Sequence, residues 1–121
     1  MGTRHWVSFA TLSACVLCLV TLAAQDPGGE LREFQVVGDH YTFAPAVLTV
    51  NKGDLVKVTF TAKDIAHSFT IDAPYRISKR AAAGQSVTFQ FRADAQGAFQ
   101  IYCNLSADPK CKDMKGQLHV R

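Results

Sequence analysis

Short runs in which apolar and polar side chains alternate constrain the fold of this chain more than any other feature. Within 55–61, Val56, Val58 and Phe60 share one phase and polar residues occupy the other. Successive side chains of a β-strand point to opposite faces, so a period of two predicts strands with one buried face. From Leu31 onward, no helical period is sustained beyond a turn or two. The sequence therefore predicts an all-β domain.

The same alternation recurs along the chain between turn-forming residues. The predicted strands are 31–37, 41–43, 47–50, 55–61, 67–71, 86–92, 98–103 and 116–121. Pro45 separates the second strand from the third, because proline is confined to strand edges and breaks. The segment 51–54, Asn-Lys-Gly-Asp, has the composition of a turn. Seven or eight short strands at regular spacing predict a β-sandwich or barrel.

Residues 1–24 have the pattern of an export segment. A short basic start precedes an apolar run from Trp6 to Ala24 that ends in small residues, as in a secretory signal peptide. If this run is retained, it is long enough to span a bilayer; a membrane anchor or a lipid attachment is the alternative. Residues 25–30 are predicted to be a linker to a single domain, 31–121. The domain is expected to be periplasmic or secreted.

Composition excludes several classes of function. Removing 1–24 leaves 97 of the 121 residues, with 12 basic and 10 acidic side chains. No basic stripe or aromatic-plus-basic cluster is present, so nucleic acid is not an expected partner. The sequence also has no serine–histidine–acid order, no paired carboxylates and no glycine-rich phosphate loop, which argues against a hydrolase or a kinase. We expect a monomer that is not an enzyme.

A sulfur-rich segment begins where the strand 98–103 ends. Cys103, Cys111 and Met114 lie within twelve residues, and Met114 is the only methionine besides the initiator. Soft sulfur ligands select copper(I), zinc or iron–sulfur clusters. His67 begins another predicted strand, in its inward phase, and would add an imidazole. These residues predict a metal site at one end of the sandwich.

Each of these residues also has a purely structural interpretation. His67 could be a hydrogen-bonded histidine near a strand end, and Met114 could fill a gap in the core. An exported domain meets an oxidising compartment, where Cys103 and Cys111 could form a disulfide instead of binding metal. Closing so short a loop would stabilise the fold by about 2–3 kcal/mol in the chain-entropy model. His40 and His119 are predicted to be a turn residue and a solvated residue.

Four segments occur in a fixed order along 31–121. They are Tyr41–Asp54, Asp64-Ile65-Ala66-His67-Ser68-Phe69, Gly97-Ala98-Phe99-Gln100-Ile101-Tyr102-Cys103 and Met114-Lys115-Gly116. In this order they resemble the cupredoxin family, in particular the copper domains of cytochrome c oxidase subunit II and of nitrous-oxide reductase. The resemblance covers nearly all of 31–121. It implies a Greek-key cupredoxin sandwich with copper as the cofactor.

The ligand loop departs from the binuclear copper loop of those relatives. Their ligands are cysteine, cysteine, histidine and methionine, and the matching positions here are Cys103, Ala107, Cys111 and Met114. A pair of bridging thiolates in that geometry is not expected, so the resemblance implies one copper ion. Its predicted ligands are His67, Cys103, Cys111 and Met114, a set without a second histidine.

Three functions are compatible with this set. In the leading interpretation the chain transfers single electrons to or from a redox partner protein, with Cys103 coupling the copper to the surface and Met114 as a weak axial ligand. In the second, it captures or delivers Cu(I) with a copper donor or acceptor protein. In the third, it is a metal-free domain with a Cys103–Cys111 disulfide.

Overall fold

Two β-sheets packed face to face form the domain. The computed structural model describes residues 2–3 and 29–121, so residues 1 and 4–24 of the predicted export segment and 25–28 of the predicted linker lie outside the described part. The strands are β1 (Leu31–Asp39), β2 (Thr42–Ala44), β3 (Val47–Val50), β4 (Leu55–Ala62), β5 (His67–Ile71), β6 (Ile77–Ala81), β7 (Ser86–Arg92), β8 (Gly97–Tyr102) and β9 (Lys115–Val120). The helical structure of the described part is a single 3₁₀ turn, Cys111–Asp113.

The two sheets are of mixed direction. One has the strand order β2-β1-β4-β7 and the other β3-β9-β8-β5-β6. The pairs β1–β4 and β3–β9 are parallel, and the other pairs are antiparallel. The final strand therefore lies between β3 and β8, inside its sheet. The predicted all-β sandwich is confirmed.

The alternation in the sequence places the core. In β4, Val56, Val58 and Phe60 are buried and the residues between them are half-buried, as the period of two requires. Phe60 packs with Phe43 and Phe69 across the space between the sheets, with ring centroids 5.9–6.0 Å apart. Fully burying one such side chain stabilises the fold by about 1.5–3 kcal/mol.

Strand β6 is the main difference from the predicted strands. The sequence predicts seven or eight strands, and residues 29–121 contain nine. In β6 only Ile77 and Ala81, at its two ends, are buried, whereas Ser78, Lys79 and Arg80 are exposed. It pairs with β5 alone, as an edge strand does, and basic side chains on edges discourage pairing with other chains. Such a run carries no alternation that sequence reasoning could detect.

The parallel pair β1–β4 fixes two ends of the sandwich. Both strands end near the β1–β2 turn and the loop before β5, where the N–H of Lys63 donates to the carbonyl of Gly38 at 2.8 Å. We call this the histidine end, comprising residues 38–41, 62–67 and 103–114. The opposite end, where β4 begins after Asp54, we call the aspartate end. Within 29–121, no helix is long and apolar enough to cross a membrane.

Candidate metal centre

His67 is fully buried at the start of β5, and only one of its ring nitrogens has a partner. Nε2 lies 2.6 Å from Oδ1 of Asp64. Nδ1 is buried and, among residues 29–121, is the one buried side-chain nitrogen or oxygen without a hydrogen-bond partner. The ring also meets Tyr41 edge-on, with centroids 5.9 Å apart. Since buried polar groups are nearly always satisfied, this nitrogen is a candidate for binding a ligand.

Asp64 is held as a carboxylate by its neighbours. Its Oδ1 faces His67, and its Oδ2 accepts from the backbone N–H of His40 at 3.0 Å. Burial raises the pKa of this carboxyl, but the hydrogen bonds from His67 and from the backbone N–H groups of Ile65 and His40 outweigh it and hold the pKa well below its usual range. The carboxylate therefore stays charged beside the imidazole.

Cys103 and Cys111 are joined as a disulfide. Cys103 follows β8 and Cys111 opens the 3₁₀ turn, with 5.2 Å between their Cα atoms. Both residues are buried. Each sulfur also faces a backbone N–H, that of Ser68 at 3.4 Å from Cys103 Sγ and that of Leu105 at 3.1 Å from Cys111 Sγ. Because Ser68 is next to His67 in β5, the Cys103 sulfur lies beside the strand that carries the histidine.

Met114 is fully buried and connects to both cysteines through the backbone. Its carbonyl accepts from the N–H of Cys103 at 3.3 Å, and its own N–H donates to the carbonyl of Cys111 at 3.0 Å. The tip of its side chain packs against β1, since a Cβ built on Gly38 would lie 2.9 Å from Met114 Cε and from Phe60 Cζ. Gly38 is therefore required for space, and Met114 fills part of the core at the histidine end.

A second set of contacts connects the loop 103–112 to the β1–β2 turn. The hydroxyl of Tyr41 donates to Oδ2 of Asp108 at 2.7 Å. The ammonium of Lys110 lies 5.9 Å from the centre of the Tyr41 ring. The hydrogen bond with Asp108 is the main cause that raises the pKa of Tyr41, and burial raises it further. Tyr41 thus bridges the loop and His67.

Sequence reasoning missed the role of Asp64, Tyr41 and Ser68 around these residues. Asp64 lies three residues before His67, and the contact between their side chains depends on the conformation of the segment between them. Tyr41 adopts a left-handed backbone conformation, with φ of 60°. The sequence does not predict this conformation, because tyrosine seldom adopts it. A polar residue three positions before a candidate ligand is the one signal that was available.

Among residues 29–121, the two other histidines match their predicted places, a turn and the solvated face of a strand. His40 is in the β1–β2 turn with its side chain 84% exposed, and His119 is exposed on β9. In the described part of the chain, one group of three histidine, cysteine or acidic side chains has ligand atoms within 4.8 Å of one another, namely Asp39, His40 and Asp64. That group does not include the predicted ligands.

Two surface pockets flank the loop 103–112. The larger, of about 360 Å³, is lined by Ala66, next to His67, and by Arg80 and Leu105 among others. The smaller, of about 290 Å³, is lined by Cys103 and Lys112 among others. Solvent therefore reaches both sides of the loop, close to the buried histidine and cysteines.

A two-sheet sandwich with an imidazole and sulfur side chains buried at one end is the architecture of copper proteins of the cupredoxin class. A profile of the cupredoxin-like domain matches residues 10–120, so this chain belongs to that family. No match was found among curated proteins.

Solved structures share the fold at low identity. Auracyanin A, a "blue" copper protein of Chloroflexus aurantiacus, is 18% identical with a TM-score of 0.64, over 75% of this chain and 99% of that one. The periplasmic domain of cytochrome oxidase subunit II of Bradyrhizobium japonicum is 15% identical with a TM-score of 0.63, over 74% and 83%. The metal-binding domain of the Cu(I)-exporting ATPase CopA of Streptococcus pneumoniae, solved with Cu(I), is 16% identical with a TM-score of 0.56, over 75% and 86%.

Copper binding by these donor atoms depends on the redox state of the cysteine pair. The unpartnered Nδ1 of His67 is a suitable donor, and a bound ion would satisfy it. The disulfide sulfurs of Cys103 and Cys111 carry no thiolate charge, and thiolate is the form that binds metal. A reduced pair would provide two thiolates beside the thioether of Met114.

Proposed function

We propose that this chain is an exported copper-binding cupredoxin that captures or delivers Cu(I) outside the cytoplasm. One ion would be bound by His67, Cys103, Cys111 and Met114 when the cysteine pair is reduced. The unpartnered, buried Nδ1 of His67 carries this proposal, because a buried imidazole nitrogen without a hydrogen bond destabilises the fold unless something binds it.

The chemistry of the four side chains favours Cu(I). Three sulfurs and one imidazole are soft donors, and soft donors select Cu(I). The backbone N–H groups of Ser68 and Leu105, which face the sulfurs, would stabilise thiolates there through hydrogen bonds to the charged form. The pocket lined by Ala66, the residue before His67, would be the route by which an ion approaches the site. The proposed partners are a copper donor and a copper acceptor protein, and binding occurs without turnover.

Single-copper electron transfer is the second candidate, and the fold favours it. The ends of β5, β8 and β9 fix His67, Cys103 and Met114, so little structure would rearrange when one electron moves. The likeness to auracyanin A supports this role. The second thiolate, Cys111, would favour Cu(II) and lower the potential relative to a site with two histidines.

A metal-free domain is the third candidate, and the Cys103–Cys111 disulfide favours it. A bridge between buried residues stabilises the folded chain mainly by constraining the unfolded one. In this case His67 and Met114 would serve the packing of the histidine end.

A thiol count followed by a copper titration separates the three. The soluble domain is purified, its free thiols are counted before and after reduction, and copper is added to both forms. Cu(I) retained against a competing chelator by the reduced form alone supports capture or delivery. An intense thiolate-to-copper band with Cu(II), bleached reversibly by a reductant, supports electron transfer instead. No copper bound by the fully reduced domain leaves the metal-free interpretation.

A further inference from the structure

The two nitrogens of the His67 imidazole have opposite surroundings. Nε2 points at a carboxylate oxygen 2.6 Å away, and Nδ1 points into the protein with no partner. The side chain of His67 is 1% exposed, whereas that of Asp64 is 26% exposed, so the carboxylate lies between the ring and solvent. The tautomer of this ring therefore depends on Asp64 alone.

We propose that Asp64 is a positioning residue that holds His67 as the Nε2–H tautomer and leaves the Nδ1 lone pair for a metal ion. The role of Nδ1 as a copper ligand rests on the function proposed above. The tautomer follows from the contacts of Asp64 and is independent of any metal.

The hydrogen-bond geometry assigns the proton. A carboxylate only accepts hydrogen bonds, and Oδ2 of Asp64 already accepts from the backbone N–H of His40. Oδ1 has Nε2 of His67 as its neighbour, so Nε2 must donate. In a neutral imidazole the other nitrogen then carries the lone pair.

The carboxylate is itself fixed by the β1–β2 turn. His40 and Tyr41 have positive φ angles of 48° and 60°, which turns the N–H of His40 toward Asp64. Non-glycine residues in this region are strained by roughly 1–3 kcal/mol each, and such strain persists where surrounding contacts enforce it. The turn thereby sets the direction of the carboxylate, and the carboxylate sets the orientation of the ring.

Such an arrangement has a measurable effect on metal binding. A carboxylate that accepts from the distal N–H of a ligating histidine fixes the ring and raises the basicity of the ligating nitrogen. Removing that type of partner typically lowers metal affinity about 10–100-fold. Asp64 would thus contribute to binding without contacting the ion.

The test uses nitrogen NMR and Cu(I) competition on the reduced, metal-free domain. Long-range proton–nitrogen spectra at neutral pH report which nitrogen of His67 carries the proton in the wild type, in Asp64→Asn and in Asp64→Ala. Asp94→Asn is the control, because it removes an exposed carboxylate that lies outside the histidine end. Cu(I) affinity is then measured for all four proteins.

We expect an Nε2–H tautomer in the wild type and in Asp94→Asn, and a mixture of tautomers in Asp64→Ala. Cu(I) affinity should fall about 10–100-fold in both Asp64 variants and stay unchanged in the control. A proton on Nδ1 in the wild type would overturn the inference even if no variant folds. So would full retention of tautomer and affinity in Asp64→Ala. If the wild type shows the expected tautomer but binds no Cu(I), the positioning role stands and the proposed function fails.

Discussion

The aspartate end and the histidine end each bury one polar side chain, and the two side chains differ in how fully they are hydrogen-bonded. Asp54, 2% exposed, accepts from the N–H of Asn51 at 2.8 Å, from that of Glu30 at 2.9 Å and from Nε of Arg32 at 3.3 Å. The hydrogen bond from Asn51, with those from Glu30 and Arg32, outweighs burial and lowers the pKa of Asp54. Every polar direction of this side chain is used to join β1, β4 and the turn between β3 and β4.

His67 is buried just as deeply and leaves one nitrogen unused. Leaving a buried polar atom unsatisfied destabilises a fold by about 1–3 kcal/mol. The burial of a fully hydrogen-bonded group such as Asp54 is explained by its contribution to stability. The burial of a polar atom without a hydrogen bond requires another explanation. The contrast between the two ends therefore marks the histidine end as the candidate functional end without reference to any relative.

The largest effect is expected from Cys103→Ser, which tests whether the histidine end is the binding end. In the reduced state, loss of one thiolate should lower Cu(I) affinity at least about 100-fold, or roughly 3 kcal/mol. In the oxidised state, the variant should lose about 2–3 kcal/mol of unfolding free energy with its disulfide. Chelator competition and denaturant titration measure the two effects.

His119→Gln is the control for that experiment, because His119 is exposed on β9 and should change neither quantity. Undiminished Cu(I) affinity in Cys103→Ser would remove Cys103 from the proposed ligands.

Gly38→Ala tests how tightly the histidine end is packed. The new methyl group would lie 2.9 Å from both Met114 Cε and Phe60 Cζ, so side chains must shift. Overpacking of this kind destabilises by about 1–3 kcal/mol. Thermal unfolding should show a lower Tm than in Gln117→Ala, a change at an exposed β9 residue. An unchanged Tm would mean that Met114 is mobile.

Asp54→Asn tests the role of the aspartate end through pH. Because the pKa of Asp54 is lowered on folding, its stabilisation is present above the unfolded value of about 3.9 and is lost as pH falls through the folded value. The variant should be less stable at neutral pH and lose less stability on acidification than the wild type. Cu(I) affinity should not change.

Denaturant titrations from neutral pH to acid measure this effect, with Asp94→Asn as an exposed control. Parallel acid profiles of Asp54→Asn and the wild type would contradict a stabilising role for the carboxylate.

Tyr41→Phe should have the smallest effect. It removes the hydroxyl that donates to Asp108 at 2.7 Å and keeps the ring against His67. We expect faster amide hydrogen exchange in 103–112 with little change in Tm, because the loop loses one hydrogen bond to the β1–β2 turn. Exchange rates equal to the wild type would show that the disulfide alone orders this loop.

The fold was largely predictable because alternation is a local signal. The strands 47–50, 67–71 and 86–92 have the predicted bounds, and Leu118 and Val120 are buried on β9 as expected. The edge strand β6 lacks that signal and was missed.

The site was predictable only as a set of residues. Sequence located His67, Cys103, Cys111 and Met114 but left open whether the cysteines bind metal or each other. A disulfide between cysteines separated by 8 positions depends on the path of the chain between them, and the unused nitrogen of His67 depends on a carboxylate that folds back on the ring. The spacing of residues in the sequence predicts neither property, because both arise from three-dimensional packing.

The interior position of β9 has a consequence for how the domain assembles. Val47–Val50 pairs only with its parallel neighbour Gln117–Val120, so the five-stranded sheet is complete only when residues far apart in the chain have met. Pairings of such long sequence separation slow folding. Cys103 and Met114 flank the β8–β9 junction, whereas His67 begins β5, so the proposed ligands come from distant parts of the chain. They come together only when the long-range pairings of this sheet have formed, so an ion would bind the folded domain.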